Sequence, residues 1–347
     1  MSPKQFVQKF LVFSIVVFAS IAALNFVVNP YAQYPSRMFK PLVQTSRATK
    51  VAFLSDRKDA PEGLILGSSR VLKYEPQYLA KKFQLKSFFN AGVNYAKPED
   101  HLAMLRYYRE RFGEMPGTVV IGLDVHGFNN GLITDARLLN NRNLVRQISD
   151  VVPLKDRFQG LKELASWKQT MSSVSSLGRA VRKKQETKHE WFQPDGMIVY
   201  DKREREIKEG SYDFESAIEY SKREYKQLYS GYEKISKRRI NCFLKTVDAC
   251  REAGTRVVVL LTPMHPELAD YLADSTTYFQ RRAELVTLLQ SESEHREFAF
   301  FDLSDLEKFG GSPEQFVDGI HPLESNTRLI IDQLATGEAG RQKYVVQ

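Results

Sequence analysis

The hydrophobic pattern begins with one long apolar run and continues as short apolar runs between amphipathic stretches. From Phe10 to Val28 the chain has no charged residue, and nearly every side chain is apolar. At a rise of about 1.5 Å per residue, a helix of this length can cross a bilayer core of about 30 Å. An uncleaved membrane anchor over residues 1–30 is therefore expected, with a cleaved signal peptide and a buried soluble helix as the alternatives.

The orientation of that anchor does not follow from its flanking charges. Lys4 and Lys9 precede the apolar run and Arg37, Lys40 and Arg47 follow it, so the positive-inside bias is balanced. Long domains cross a membrane largely regardless of their charge. We therefore expect a single-pass protein of the inner membrane, with everything after about residue 30 outside the cytoplasm, in the periplasm if the cell is Gram-negative.

Beyond a juxtamembrane segment at 31–62, short apolar strands alternate with amphipathic helices. The predicted strands are Leu64–Leu66, Lys86–Phe89, Thr118–Leu123, Arg256–Leu261 and Glu297–Phe301. The predicted helices are Glu75–Phe83, Pro98–Phe112, Ile235–Ala253, Tyr278–Leu289 and a closing helix that ends near Leu334. Continuously apolar strands that alternate with helices are typical of a parallel sheet covered on both faces. The pattern therefore predicts an α/β fold with a doubly wound, five-stranded parallel sheet.

A polar, highly charged stretch at 129–234 interrupts this alternation and divides the α/β domain into 63–128 and 235–347. The stretch is predicted to be mostly helical and carries charge runs at Arg182–Lys184 and Asp201–Glu206. One interpretation is a set of solvated helical faces, and the other is a cap over a site or a docking surface. For the second interpretation, the candidate stacking residues are Trp191, Phe192 and Tyr200.

Composition narrows the classes of function. The 347 residues are 42% apolar and 27% charged, enough for a sizeable core, and the formal net charge is +8. No zinc-ligand spacing, aromatic RNA-binding motif or glycine-rich basic tail accompanies that charge, so a nucleic-acid partner is not expected. No Walker loop, dinucleotide fingerprint or metal-ligand cluster occurs in the sequence, so no cofactor is expected. A basic chain behind a membrane anchor favours an anionic envelope polymer or a membrane surface as its partner.

Two short segments near opposite ends of the α/β pattern carry candidate chemistry. Gly67-Ser68-Ser69 follows the first strand in a tight turn, and Asp318 stands three residues before His321 in a loop bounded by glycine and proline. A serine hydroxyl becomes an effective nucleophile when a histidine takes its proton and a third group orients the imidazole. In parallel sheets the functional side chains lie in loops beyond the carboxyl ends of the strands. We therefore expect Ser69, His321 and Asp318 to meet at one edge of the sheet.

These segments resemble two sequence blocks of the SGNH, or GDSL-like, hydrolase superfamily, whose fold is a flavodoxin-like doubly wound sheet. In the first block, Gly-Asp-Ser, the third residue is the nucleophile. Gly67-Ser68-Ser69 matches it with serine in place of aspartate, so Ser69 is the candidate and Ser68 the fallback. Asp318 and His321, followed by proline, match the last block, Asp-x-x-His-Pro. With its anchor, the chain is similar to the membrane-anchored envelope branch, which includes proteins of polysaccharide O-acetylation and teichoic-acid D-alanyl transfer.

The two middle blocks of the family are matched less well. The second resembles Asn90–Tyr95, but Tyr95 stands where the family has a glycine whose N–H group contributes to the oxyanion hole. The third, Gly-x-Asn-Asp, becomes Gly122-Leu123-Asp124-Val125, so Asp124 replaces the asparagine that donates to the oxyanion. A carboxylate cannot donate a hydrogen bond, and loss of one such donor typically costs about 3 kcal/mol of transition-state stabilisation. The candidate substitute donors are His126, Asn94, Asn129 and Asn130.

Two further side chains are expected beside the site. Arg70, next to Ser69, either holds an anionic substrate or caps a neighbouring element. His265 follows the strand Arg256–Leu261 at the same edge of the sheet, and it either touches substrate or packs in the core.

The resemblance implies a serine esterase or O-acyltransferase that acts on acyl esters of a cell-envelope polysaccharide. In this hypothesis Ser69 attacks the ester, His321 is the general base, Asp318 orients it, and the backbone N–H groups of Ser69 and Tyr95 bind the oxyanion. The alternative is a non-catalytic protein of the same fold that binds polysaccharide or assembles with a membrane-bound acyltransferase. Asp124 at the oxyanion position favours this alternative.

Overall fold

The computed structural model describes residues 2–31, 34, 36, 38–39, 42, 46–157, 164–181 and 190–345. The charge run at Arg182–Lys184 and the two basic residues Arg37 and Lys40 lie outside the described residues. The chain forms two compact units, Met1–Ala48 with Thr134–Thr187 and Thr49–Ile133 with Lys188–Gln347.

The second unit contains a parallel sheet. Its strands are β1 Gly63–Leu66, β2 Phe88–Asn90, β3 Thr118–Leu123, β6 Arg256–Leu261 and β7 Ala299–Asp302, and a separate antiparallel pair consists of β4 Trp191–Phe192 and β5 Ile198–Val199. The five parallel strands lie in the order β2-β1-β3-β6-β7. Numbered within the sheet alone this order is 2-1-3-4-5, the flavodoxin-like arrangement. The predicted doubly wound α/β fold is confirmed.

Helices flank this sheet and also make up most of the first unit. In chain order they are α1 Pro3–Val28, α2 Ser46–Asp56, α3 Pro76–Phe83, α4 Pro98–Phe112, α5 Ala136–Leu139, α6 Arg142–Val145, α7 Leu154–Arg157, α8 Trp167–Val181, α9 Asp201–Lys208, α10 Phe214–Tyr229, α11 Lys237–Glu252, α12 Pro266–Ser275, α13 Tyr278–Arg296 and α14 Glu324–Val345.

The centre of the sheet is apolar on both faces. Every residue of β1 and β3 is buried, and Leu64 lies opposite Val119 in their parallel register. Because both faces of these strands are buried, their residues do not alternate between apolar and polar. In the sequence they therefore form continuous apolar runs.

Two strands begin later than the sequence pattern predicts. β2 starts at Phe88 instead of Lys86, because Lys86 is exposed while all three residues of β2 are buried. β7 starts at Ala299 because α13 ends only at Arg296, where Glu297 adopts a left-handed conformation that stops the helix.

One helix of the second unit is absent from the sequence prediction, and two are longer than predicted. α12 begins directly after His265 and buries Leu268 and Leu272, a spacing that fits one side of a short helix. α13 continues past Leu289 because Ser293 remains on its buried side, and α14 continues past Leu334.

The stretch at 129–234, which we expected as one insertion, is divided between the two units. Residues from Thr134 to Thr187 group with α1, whereas those before Thr134 and those from Lys188 onward group with the sheet. The physical reason lies in the later part, where the N–H group of Ile198 donates to the carbonyl of Leu72 at 3.0 Å and α10 buries Ile218. The later part therefore belongs to the core of the sheet unit.

Helix α1 dominates the first unit. It is long and apolar enough to cross a membrane, which is the property that the sequence predicts for residues 1–30. Near its end Asn25 is fully buried, and its amide donates to the carbonyl of Leu164 at 2.7 Å and to Thr170 Oγ1 at 2.9 Å. This polar side chain thereby joins the end of α1 to α8 and the residues just before it.

Asn90, the last residue of β2, fastens the turn that follows β1. It is fully buried, and its Nδ2 donates to the carbonyls of Val71 at 2.7 Å and Tyr74 at 3.1 Å. Its Oδ1 accepts from the N–H group of Gly92 at 3.0 Å. One side chain therefore satisfies three backbone groups in two loops at the same edge of the sheet.

Replacement of Asn90 by alanine is expected to destabilise the chain by about 2–4 kcal/mol, because buried backbone groups lose their partners. The free energy of unfolding of the detergent-solubilised chain, measured by chemical denaturation, checks this value. Gln280→Ala, on the exposed surface of α13, is the matched control and is expected to change it by less than about 0.5 kcal/mol. A loss for Asn90→Ala no larger than the control's contradicts the role of Asn90.

Candidate active site

Ser69 lies in the turn that follows β1. Gly67 makes this turn possible, because a Cβ at this position would lie 2.8 Å from Val71 Cγ2. Ser68 then caps a single 3-10 turn at Ser69–Val71, and its Oγ accepts from the N–H group of Arg70 at 3.3 Å. The side chain of Ser68 is thus buried and used within the turn, whereas Ser69 is half-buried.

His321 joins this turn to the last loop of the sheet unit. Its Nε2 lies 2.8 Å from Ser69 Oγ, and its Nδ1 lies 2.8 Å from Asp318 Oδ2. The other oxygen of Asp318 accepts from the N–H groups of Ile320 at 2.9 Å and His321 at 3.0 Å. The three side chains named from the sequence therefore form a continuous hydrogen-bonded chain, in the order expected of a nucleophile, a base and an orienting carboxylate.

The carboxylate of Asp318 is held in its ionised form. Burial by itself raises the pKa of this group, but the attraction of His321 and the hydrogen bonds from His321 and the backbone outweigh burial and lower the pKa below its ordinary value. An ionised acceptor fixes the proton of His321 on Nδ1, and this leaves Nε2 available to accept the proton of Ser69.

The loop from Asp318 to His321 is clamped from two sides. The N–H group of Gly319 donates to Ser221 Oγ on α10 at 3.2 Å, and its carbonyl accepts from the N–H group of His265 at 2.9 Å. A Cβ on Gly319 would approach Leu268 Cδ2 to 2.7 Å, so the space between α10 and α12 admits only glycine. Ser221 is a positioning residue that the sequence analysis missed.

Tyr95 adopts a backbone conformation that a glycine takes without strain. Its φ of 56° lies in the left-handed region, which is unfavourable for a bulky residue unless its surroundings hold it there. The hydroxyl of Tyr95 donates to Glu224 on α10. Burial and the Glu224 carboxylate raise the pKa of this phenol, so it remains a donor at neutral pH. Asn94 lies half-buried beside it.

Asp124 is buried and paired. Thr262 Oγ1 donates to its Oδ1 at 2.5 Å, and Arg70 Nε lies 3.5 Å from the same oxygen. Burial by itself raises the pKa of this carboxyl, but the attraction of Arg70, together with smaller contributions that include hydrogen bonds from Ser68 and Thr262, outweighs burial and lowers the pKa, so Asp124 is ionised and its charge is compensated.

The guanidinium of Arg70 is buried and is not accessible to an anionic substrate. Only 2% of its surface is exposed, and its Nη1 donates to Thr262 Oγ1 at 3.2 Å and to the carbonyl of Pro263 at 3.4 Å. Its guanidinium carbon lies 5.1 Å from the centre of the Tyr225 ring. The expectation that Arg70 holds an anionic substrate is therefore wrong, because an aromatic ring and Asp124 already enclose its charge.

The two candidate histidines beside the triad pack against aromatic rings. His126 meets the Tyr225 ring edge-on at 5.3 Å, and burial together with Arg70 lowers its pKa to about 3, although Asp124 acts in the opposite direction. His265 Nδ1 accepts from the N–H group of Glu267 at 3.3 Å and caps α12. Of the two interpretations of His265, the structure favours the packed histidine.

The remaining candidate donors have structural partners. The Asn129 amide donates to the carbonyl of Leu228 at 2.7 Å, and Asn130 Oδ1 accepts from the N–H group of Lys234 at 3.0 Å. Asn129 thereby fastens the loop after β3 to the end of α10, and Asn130 fastens it to the segment that follows α10.

Of the three candidate stacking residues, Tyr200 is buried and Phe192 is partly buried. Tyr200 is buried with Leu72, and Phe192 packs against this cluster beneath Lys50 Nζ, which lies 4.3 Å from its ring centre. Trp191 is partly exposed, and its Nε1 donates to Asp201 Oδ2 at 2.9 Å. Burial therefore excludes stacking of a substrate on Tyr200, and the exposed part of Phe192 is limited by its packing against this cluster.

Comparisons with known proteins leave the family open. No family model matches the chain, and no curated protein matches it. Among solved structures, one similar chain is that of a "putative acylhydrolase" from Bacteroides fragilis NCTC 9343, at 10% sequence identity, with 85% of this chain and 94% of that chain covered. Its TM-score is 0.38, so this likeness supports no argument about family or activity.

The pH dependence of stability tests the burial of His126. Its pKa is about 3 in the folded chain, whereas an unfolded histidine titrates near 6.5. The unfolded chain therefore binds the additional proton as the pH falls below about 6.5, and this lowers the stability of the folded state. Between pH 7 and pH 5 we expect the wild type to lose about 2 kcal/mol more stability than His126→Asn.

Chemical denaturation at the two pH values measures this difference. His295→Asn is the matched control, because the side chain of His295 is exposed on α13. The control is expected to keep the pH dependence of the wild type. Equal losses for the wild type and His126→Asn would show that His126 is not held neutral by burial.

Proposed function

We propose that the protein is a serine esterase or O-acyltransferase in which Ser69 is the nucleophile, His321 the general base and Asp318 its orienting partner. The observation that supports this proposal is the hydrogen-bonded chain from Asp318 through His321 to Ser69, which joins side chains 252 residues apart in sequence. Catalytic triads are recognised by this geometry and by the roles of their members, not by their order in the sequence.

The first half of the reaction forms an acyl-enzyme. Ser69 Oγ attacks the ester carbonyl carbon while its proton passes to His321 Nε2, and the Asp318 carboxylate stabilises the resulting imidazolium. The tetrahedral intermediate then collapses, and the C–O bond to the alcohol breaks as His321 returns the proton to the leaving oxygen. The products of this half are the free alcohol and an acyl ester on Ser69.

The second half releases the acyl group. Water or a sugar hydroxyl attacks the acyl-enzyme, its proton passes to His321 Nε2, and the bond to Ser69 Oγ breaks as that oxygen regains a proton. Water gives hydrolysis to a carboxylic acid, whereas a sugar hydroxyl gives transfer to a new ester.

The oxyanion in both halves is bound by the backbone N–H groups of Ser69 and Tyr95. The left-handed conformation of Tyr95, held through Glu224, supports this assignment because it is the conformation that a glycine would supply. Asn94 remains the candidate for a side-chain donor. Because Asp124 is paired with Arg70, its charge is balanced beside the site instead of opposing the oxyanion alone.

The substrate class in this proposal is an acyl ester of a cell-envelope polysaccharide. α1 would anchor the chain in the inner membrane with the sheet unit outside the cytoplasm, and the net charge of +8 would favour contact with an anionic polymer. The competing function is a non-catalytic protein that binds polysaccharide or assembles with a membrane-bound acyltransferase. The pairing of Asp124 weakens the argument for that alternative.

Labelling of the detergent-solubilised full chain with a fluorophosphonate probe tests the chemistry. The wild type is expected to be labelled and Ser69→Ala to be unlabelled, because the probe reacts only with an activated serine. Ser68→Ala is the matched control and is expected to retain labelling, because the Ser68 side chain is buried and its hydroxyl is engaged by the N–H group of Arg70 and by Asp124. Asp318→Asn is expected to slow labelling by about 10³–10⁴-fold through the wrong histidine tautomer.

The opposite results are equally clear. A folded wild type that resists the probe would favour the non-catalytic function. Labelling that survives in Ser69→Ala but is lost in Ser68→Ala would transfer the nucleophile to Ser68.

A further inference from the structure

Helix α8 carries an apolar stripe on its outer side. Trp167, Met171, Val174 and Val181 are exposed, with 76% of Trp167 and 82% of Val181 accessible. Their spacing of four, three and seven residues places them on one side of a helix with about 3.6 residues per turn. A large exposed apolar stripe of this kind marks a surface of interaction.

The opposite side of α8 is polar and packs against α1. Ser173 Oγ donates to Asn25 Oδ1 at 2.7 Å, and Thr170 Oγ1 accepts from the Asn25 amide at 2.9 Å. Just beyond the end of α1, the hydroxyls of Tyr31 and Ser172 lie 2.6 Å apart. These bonds fix α8 beside the last turns of the apolar helix.

The surroundings of the stripe indicate which partner covers it. The exposed side of α1 is apolar and includes Phe10, Phe13 and Phe18, so the same unit carries a second surface that is suited to lipid. Lys168 and Arg179 are exposed on α8, and the sequence continues into the basic run Arg182–Lys184. A helix with one apolar side, a tryptophan and flanking basic residues is the type that lies at the surface of an anionic bilayer.

We propose that α8 is an interfacial membrane helix, with Trp167, Met171, Val174 and Val181 inserted between the headgroups and the acyl chains of the bilayer that α1 crosses. This inference rests on the membrane anchoring in the proposed function but is independent of the triad. It gives the first unit two contacts with the bilayer: α1, which spans it, and α8, which lies along its surface.

The chain offers an internal reporter for this contact, because it contains only two tryptophans. Trp191→Phe leaves Trp167 as the single fluorophore, and Trp167→Phe leaves Trp191, which belongs to the other unit and is 39% exposed. The full chain of each variant is reconstituted in phosphatidylethanolamine–phosphatidylglycerol vesicles with lipids brominated near the headgroup or near the bilayer centre.

Bromine near the headgroup is expected to quench Trp167 at least twofold, and more strongly than bromine near the bilayer centre. Trp191 is expected to lose little of its emission with either lipid. Equal quenching of the two tryptophans would overturn the proposal. It would also be overturned if neither brominated lipid changed the emission of Trp167. If Trp167 is protected from bromine quenching and chemical crosslinking shows a dimer, the proposal would also be overturned, since a second copy of the chain would then cover the stripe.

Two measurements on the same vesicles separate this proposal from the proposed function. Flotation of the vesicles reports anchoring by α1, and fluorophosphonate labelling reports the fold and chemistry of the triad. A floating, labelled chain whose Trp167 is not quenched contradicts only the role of α8. A floating chain with quenched Trp167 and no labelling supports the role of α8 and contradicts the esterase, whereas a chain that does not float contradicts both the anchor and the role of α8.

Discussion

The hydrogen bond between His321 Nε2 and Ser69 Oγ connects the two ends of the α/β unit. At 2.8 Å it requires the turn after β1 and the loop before α14 to meet at one edge of the sheet. Parallel strands make this possible because their carboxyl ends point the same way. Hydrogen bonds from other parts of the unit hold these loops in place. Asn90 bonds to the first turn, and Ser221 bonds to the last loop.

Beside the triad, the structure buries two opposite charges next to neutral rings. Breaking such a pair is costly, since the remaining charge stays buried without a partner. Arg70 and Asp124 satisfy each other, and Tyr225 covers the guanidinium while His126 stays neutral beside the same ring. This arrangement explains how an aspartate can be buried directly after β3 without leaving its charge uncompensated. The carboxylate is part of the supporting structure, and in the proposed mechanism the backbone supplies the oxyanion donors.

The fold and the hydrogen-bonded arrangement of Ser69, His321 and Asp318 could be predicted from local signals. The sheet can be located from continuous apolar strands, from the helical spacing of apolar residues and from the glycines and prolines that end these elements. Asp318 and His321 can be paired because they are close together in the sequence. The prediction failed where long-range contacts decide the outcome. Arg70 resembles an exposed anion-binding residue until Tyr225, 155 positions later in the sequence, covers it.

Helix α10 shows the same limit on a larger scale. Its sequence reads as a solvated insertion because most of its residues are polar, yet Ser221, Glu224 and Tyr225 contact three separate loops of the site. The available signal was the spacing of Ile218, Ser221, Tyr225 and Tyr229, which form one buried side of the helix. The pattern indicates that side but not its partner, since the same spacing would fit any apolar surface.

A crystal structure of the full chain after reaction with an organophosphonate tests the central claim most directly. The account predicts a covalent bond from phosphorus to Ser69 Oγ, with the phosphoryl oxygen about 3 Å from the backbone nitrogens of Ser69 and Tyr95. Phosphorus bound to another side chain, or a phosphoryl oxygen directed away from both nitrogens, would contradict it.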